Sequence, residues 1–107
     1  MKRLYSVSIR DTINFVITTF KSSHLENYWI SGDESHIQKE FRKRVKVRLT
    51  VMDAASSLDE IRAYGWDLHW LKGNRKEDWS LAVNASWRIT FRFEDGNCVD
   101  VDFEQYH

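Results

Sequence analysis

Apolar residues recur along this chain with two different periods, and the change between them divides the fold. From Ser35 to about Ala55, Ile37, Phe41, Val45, Leu49 and Met52 follow at spacings of four, four, four and three, which is one face of an amphipathic α-helix. From Trp66 onward the period becomes two, as strands require. Trp79, Leu81 and Val83 alternate with Ser80, Ala82 and Asn84; Trp87, Ile89, Phe91 and Phe93 with Arg88, Thr90, Arg92 and Glu94; Val99, Val101 and Phe103 with Asp100, Asp102 and Glu104. This reads as an antiparallel meander with one apolar and one polar face.

Shorter signals fill in the rest. Asn14 to Phe20 is β-branched and aromatic and predicts a strand. Ser22 or Ser23 and Gly32 bracket a short helix through Ile30, and Ser57 with Glu60 forms a capping-box pattern for a helix over Leu58 to Ala63. Residues 1–14 show no sustained period and read as an extension before a single domain over 15–107. The predicted class is α+β: an N-terminal strand and two or three helices packed on one face of an antiparallel β-sheet.

Register follows from keeping like with like across the last hairpin. A two-residue Asp95-Gly96 turn sets Phe91 opposite Asp100 and Ile89 opposite Asp102, mixing the faces. A three-residue loop through Asn97 aligns Phe91 with Val101, Ile89 with Phe103, Arg92 with Asp100 and Arg88 with Glu104, so that register is expected. It leaves Arg88, Thr90, Arg92, Asp100, Asp102, Glu104 and Tyr106 on an open polar face, which is either a solvated ladder of ion pairs or a site.

Charge adds one local feature. Lys plus Arg and Asp plus Glu both number 16, so attraction to a polyanion must come from placement. Between Lys39 and Arg48 the helix carries Lys39, Arg42, Lys43, Arg44, Lys46 and Arg48 against Glu40 alone. Such a run is either a solvated face or a polyanion-binding surface formed by Lys39, Arg42, Lys43, Lys46 and Arg48.

Chemistry is narrowed mainly by exclusion. Cys98 is the single cysteine, fitting a reducing, cytoplasmic setting, and no apolar run is long enough for a membrane span. His24, His36, His69 and His107 lack metal-ligand spacing, so no metal is expected. No dinucleotide fingerprint, P-loop or nucleophile elbow is present, and no cofactor is expected. Lys, Arg, Tyr and His together suit cleavage of RNA by its own 2′-hydroxyl, which needs a base, an acid and cations but no metal. On chemistry alone it is one option among several.

The runs Gly65-Trp66-Asp67-Leu68-His69-Trp70-Leu71-Lys72-Gly73-Asn74-Arg75, Trp79-Ser80-Leu81-Ala82-Val83, Trp87 to Gly96 (WRITFRFEDG) and Phe103-Glu104-Gln105-Tyr106-His107 closely resemble HigB-type toxins of the RelE/ParE superfamily, in the family's order and spacing. The resemblance implies a RelE-like fold, a helix-turn-helix (HigA-like) antitoxin as partner, and ribosome-dependent cleavage of mRNA that inhibits translation, which makes Lys39, Arg42, Lys43, Lys46 and Arg48 the expected RNA- and ribosome-binding residues. It further implies that Lys72 and Arg88 steady the scissile phosphate, Tyr106 stacks on or orients a base, His107 transfers protons, and His69 stands at a family histidine position. The family commonly has Asp where Gln105 stands and Pro where Trp70 stands. Two alternatives accompany it: a ParE-like gyrase-directed toxin, against which Tyr106-His107 argues, and a catalytically silent module that binds antitoxin or ribosome, which Gln105 keeps open.

Overall fold

The computed structural model describes residues 16–105. Within them the chain forms α1 (Ser23–Ser31), a 3-10 turn (Lys39–Phe41) leading into α2 (Arg42–Ala54), α3 (Leu58–Arg62), β1 (His69–Trp70), a second 3-10 turn (Gly73–Arg75), β2 (Asp78–Ala82), β3 (Trp87–Glu94) and β4 (Asn97–Gln105). The strands pair antiparallel in the order β1-β2-β3-β4, an α+β arrangement of the RelE-like kind. None of the described helices is long and apolar enough to cross a membrane.

α1 is bounded as its end signals require. The Ser22 hydroxyl accepts the Leu25 N–H at 3.1 Å, and Gly32 closes the helix at φ 79°, a left-handed conformation that glycine adopts without a Cβ penalty. Ser57 likewise accepts from the Glu60 N–H at 3.3 Å to start α3, while the Glu60 carboxylate reaches the N–H of Ser56 rather than that of Ser57.

The long helix begins at Arg42, not at Ser35. The Asp33 carboxylate accepts the Ser35 N–H at 3.1 Å and its hydroxyl at 2.7 Å, and the Ile37 N–H turns back to the Glu34 carbonyl at 3.0 Å. These local bonds compete with helical ones. The apolar face survives the interruption: Ile37, Phe41, Val45, Leu49 and Met52 are all buried, in one core with Leu81, Ile89, Phe91 and Val101 from the sheet. The described helices and the sheet's apolar face therefore enclose a common core.

The predicted N-terminal strand is corrected to an extended segment with two isolated bridges, Ile17 to Cys98 and Phe20 to Val101, parallel to β4; Asn14, Phe15 and the extension lie outside the described residues. A bulge in β4 breaks this pairing in the middle. Asp100 sits at φ 53°, and its N–H goes to the Thr19 hydroxyl at 2.8 Å instead of a backbone carbonyl.

The same bulge corrects the register. Near the turn, Glu94 faces Asn97, Phe93 faces Cys98 and Arg92 faces Val99, so the loop is the two-residue one, with Asp95 at φ 54° and Gly96 at φ 81° as a type I′ turn demands. Beyond the bulge the expected pairs appear: Arg88 opposite Glu104 and Ile89 opposite Phe103. One extra residue in β4 thus reconciles a turn that fits two residues with a core that needs the other parity. Arg92 still reaches Asp100 at 2.6 Å as an ion pair.

Candidate active site

The sheet face turned away from the helices is not the open ladder that its alternation implies. Ser80, Thr90 and Arg88 on that face are 0%, 5% and 7% exposed. The segment between α3 and β2 covers them. Asp67 adopts φ 56°, and this bend directs both its carbonyl and its carboxylate onto Arg88.

Arg88 is fixed from two sides. Its Nε donates to the Ser80 hydroxyl, and its terminal nitrogen donates to the Asp67 carbonyl at 3.0 Å and to the Asp67 carboxylate at 3.1 Å. The Asp67 side chain is 70% exposed, so the pair lies at a boundary between a buried cation and a hydrated anion. His69 joins this group: its Nδ1 lies 3.0 Å from the Asp67 carbonyl and 3.5 Å from Arg88. The carbonyl only accepts and the guanidinium only donates, so the two contacts ask for opposite states of Nδ1; the shorter one, to the carbonyl, favours a hydrogen on Nδ1 and a free lone pair on Nε2.

Glu104 faces Arg88 in the backbone register but is not its ion-pair partner. Arg75, from the 3-10 turn, donates to both Glu104 oxygens at 2.9 and 2.7 Å and to Asp78 at 2.8 Å, and the Thr90 hydroxyl also donates to Glu104. The Arg75 hydrogen bonds hold the Glu104 carboxyl below its usual range, against an upward push from burial. Asp102, whose Cα neighbours Thr90 across the strands, is raised instead because burial dominates. The sequence reading missed Arg75, although its spacing to Asp78 and its place at the end of the Lys72-Gly73-Asn74-Arg75 block both pointed to it.

These groups line a cleft of about 320 Å³ bounded by Leu71, Lys72, Arg75, Ser80, Arg88, Thr90, Glu104 and Gln105. Of the predicted catalytic residues, Arg88 and Lys72 therefore meet at one cleft and His69 touches Arg88. Tyr106 and His107 lie outside the described residues, and Gln105 is part of the cleft wall. Among the described residues no group of three or more His, Cys, Asp or Glu side chains could hold a metal.

The predicted ribosome-binding residues occupy the other side of the sheet. Lys39 and Lys43 are exposed, and Lys46 lies 5.6 Å from the Tyr28 ring. Two of the arginines are turned inward: Arg42 donates to the Ile37 carbonyl at 2.8 Å, and Arg48 donates to the Ala82 carbonyl at 2.8 Å while stacking 4.4 Å from Trp66. The basic surface is thus thinner than the sequence implies, because guanidinium groups serve as links between α2 and its neighbours.

Comparison with known proteins agrees with this arrangement. A family described as the RelE-like toxin of the type II toxin-antitoxin system HigB matches residues 18–107. The Endoribonuclease HigB of Proteus vulgaris is 35% identical over 92 residues, spanning 86% of this chain and 100% of that protein. With the four-stranded sheet, the helical layer on one face and a cationic cleft on the other, these matches show that the chain belongs to the HigB-like family of RelE-like toxins from type II toxin-antitoxin systems.

Proposed function

We propose that this chain is a toxin that cuts mRNA in the decoding site of the ribosome and so inhibits translation, held inactive by a helix-turn-helix antitoxin. The observation that carries this reading is Arg88: a guanidinium buried by its own fold, fixed by Ser80 and Asp67, at a cleft that also holds Lys72. A rigid cation costs no reorganisation when charge develops on a phosphate, which is where preorganised electrostatics acts most strongly. The kinship with an enzyme named as an endoribonuclease supports the same reading.

In this mechanism the ribose 2′-oxygen attacks the adjacent phosphorus and the bond from phosphorus to the 5′-oxygen breaks. A cyclic 2′,3′-phosphate and a free 5′-hydroxyl result. Arg88 and Lys72 stabilise the pentavalent phosphate, and Tyr106 orients a base. His107 transfers a proton, because imidazole is the side chain suited to proton exchange at neutral pH. His69, through Nε2, is the second proton-handling group. Lys39, Lys43 and Lys46 face ribosomal RNA, with Arg42 and Arg48 contributing through their outward edges.

The test is mRNA cleavage on programmed ribosomes. The wild type cuts, and His107→Gln slows the single-turnover rate by about 10²- to 10⁴-fold while folding is unchanged. Gln105→Asp cuts at the wild-type rate or faster. If neither the wild type nor Gln105→Asp cuts, the chain is a silent binding module and the endonuclease reading is wrong.

A further inference from the structure

We propose that the exposed face of Trp70 is a stacking platform for an RNA base flanking the nucleotide held in the cleft. The inference rests on the cleft being an RNA site and adds a second point of contact beside it. Trp70 is 59% exposed, more than any other large hydrophobic side chain among the described residues. It is also held still. Its backbone pairs with Trp79 in the β1-β2 ladder, and the two indoles stack with centroids 5.6 Å apart and planes within 6° of parallel. Trp79 in turn packs against the core, so the pair is anchored from behind.

The surroundings suit a nucleic acid, with a mostly apolar surface for a base and a cationic excess for the backbone. Trp70 lines a shallow groove of about 520 Å³ with Leu71, Lys72, Gly73, Lys76 and Glu77, two cations against one acid. Leu71 and Lys72 also line the cleft, so the groove begins where the cleft ends. Successive residues of a strand point to opposite faces, and Trp70 therefore lies across the sheet edge from His69. RNA leaving the cleft passes over that edge beside Lys72. A flat, immobilised indole flanked by lysines is the pairing that single-stranded RNA engages: bases stack on the ring while the backbone is neutralised.

The experiment follows the Trp70 indole N–H resonance, assigned by its disappearance in Trp70→Phe, during titration with a short single-stranded RNA of mixed sequence. The proposal requires that signal to shift together with the Lys72 amide. Trp70→Ala should weaken binding of this RNA about 5- to 100-fold, and Trp70→Phe should retain most of the affinity. On programmed ribosomes, an abasic site beside the cleaved nucleotide should cost the wild type more than it costs Trp70→Ala. A Trp70 signal that stays still while Lys72 responds overturns the platform and leaves the cleft intact. Additive losses from the abasic site and Trp70→Ala overturn it as well. Unchanged RNA binding with lost antitoxin affinity in Trp70→Ala assigns the face to the antitoxin and overturns it. Failure of the endonuclease reading is distinct: neither the wild type nor Gln105→Asp would then cut mRNA on programmed ribosomes, whatever the Trp70 signal does.

Discussion

Replacing Arg88 by Ala removes a side chain that is 8% exposed and that donates to Ser80 and to the carbonyl and carboxylate of Asp67. Each lost bond from a charged donor is worth about 1.5–3 kcal/mol where the acceptor is left unsatisfied. Ser80 is fully buried and bears such a loss, whereas the Asp67 carboxylate, 70% exposed, regains water, and its share stays under about 1 kcal/mol. Freeing a buried cation from its desolvation cost offsets part of the total. The net expectation is about 2–3 kcal/mol, a fall in Tm of roughly 8–15 °C. Asp67→Asn, which keeps the carbonyl, should cost under about 1 kcal/mol. Urea unfolding measures these losses, and single-turnover mRNA cleavage well below the lowered midpoint measures function. Arg88→Ala should slow cleavage about 10²- to 10³-fold with ribosome affinity unchanged, and Arg88→Lys should recover stability better than rate because a point charge lacks the fork. A variant that loses stability yet cuts at the wild-type rate would make Arg88 a structural ion-pair partner and refute its placement against the phosphate.

Replacing Lys39, Lys43 and Lys46 together by Ala should lower the slope of log ribosome affinity against log salt by about 2–3, and an unchanged slope means that this helix face is merely solvated. The Glu104 carboxyl lies below its usual 4.5, chiefly through Arg75, so their pairing stabilises the fold above that pH and is lost as pH falls through the lowered value. Acid titration of stability should therefore be flatter below about pH 5 in Arg75→Ala than in the wild type, with the opposing effect of the raised Asp102 present in both proteins. Burial pushes the Cys98 thiol up to about 12, so iodoacetamide near neutral pH should label it only after unfolding; rapid labelling of the native protein would show that the β4 edge opens readily.

What the sequence determined by itself is local or periodic. Ser22 and Gly32 carry the ends of α1 in their own side-chain and backbone chemistry, and the face from Ile37 to Met52 needs only the helical repeat to be recognised. Alternation likewise exposes the strands, since one buried face demands it. The Lys72 and Arg88 candidates came from motif blocks and parity, and the structure brings both to one cleft.

Tertiary structure decided the points at which two local preferences meet. The Asp95-Gly96 turn and the apolar parity of β3 and β4 ask for different registers, and only the bulge at Asp100, secured by Thr19 from the far end of the chain, satisfies both. A contact separated by 81 residues leaves no periodic trace in the sequence. The polar face offers a second case: alternation places Arg88, Ser80 and Thr90 together, but cannot say that the chain from Asp67 to Arg75 folds over them. That cover exchanges the expected Arg88 to Glu104 bridge for Arg88 with Asp67 and Arg75 with Glu104. Ion-pair partners are chosen by which loop lies above the sheet, because a long cationic side chain pairs with whatever acceptor the packed chain brings within reach, and sequence order does not fix that distance.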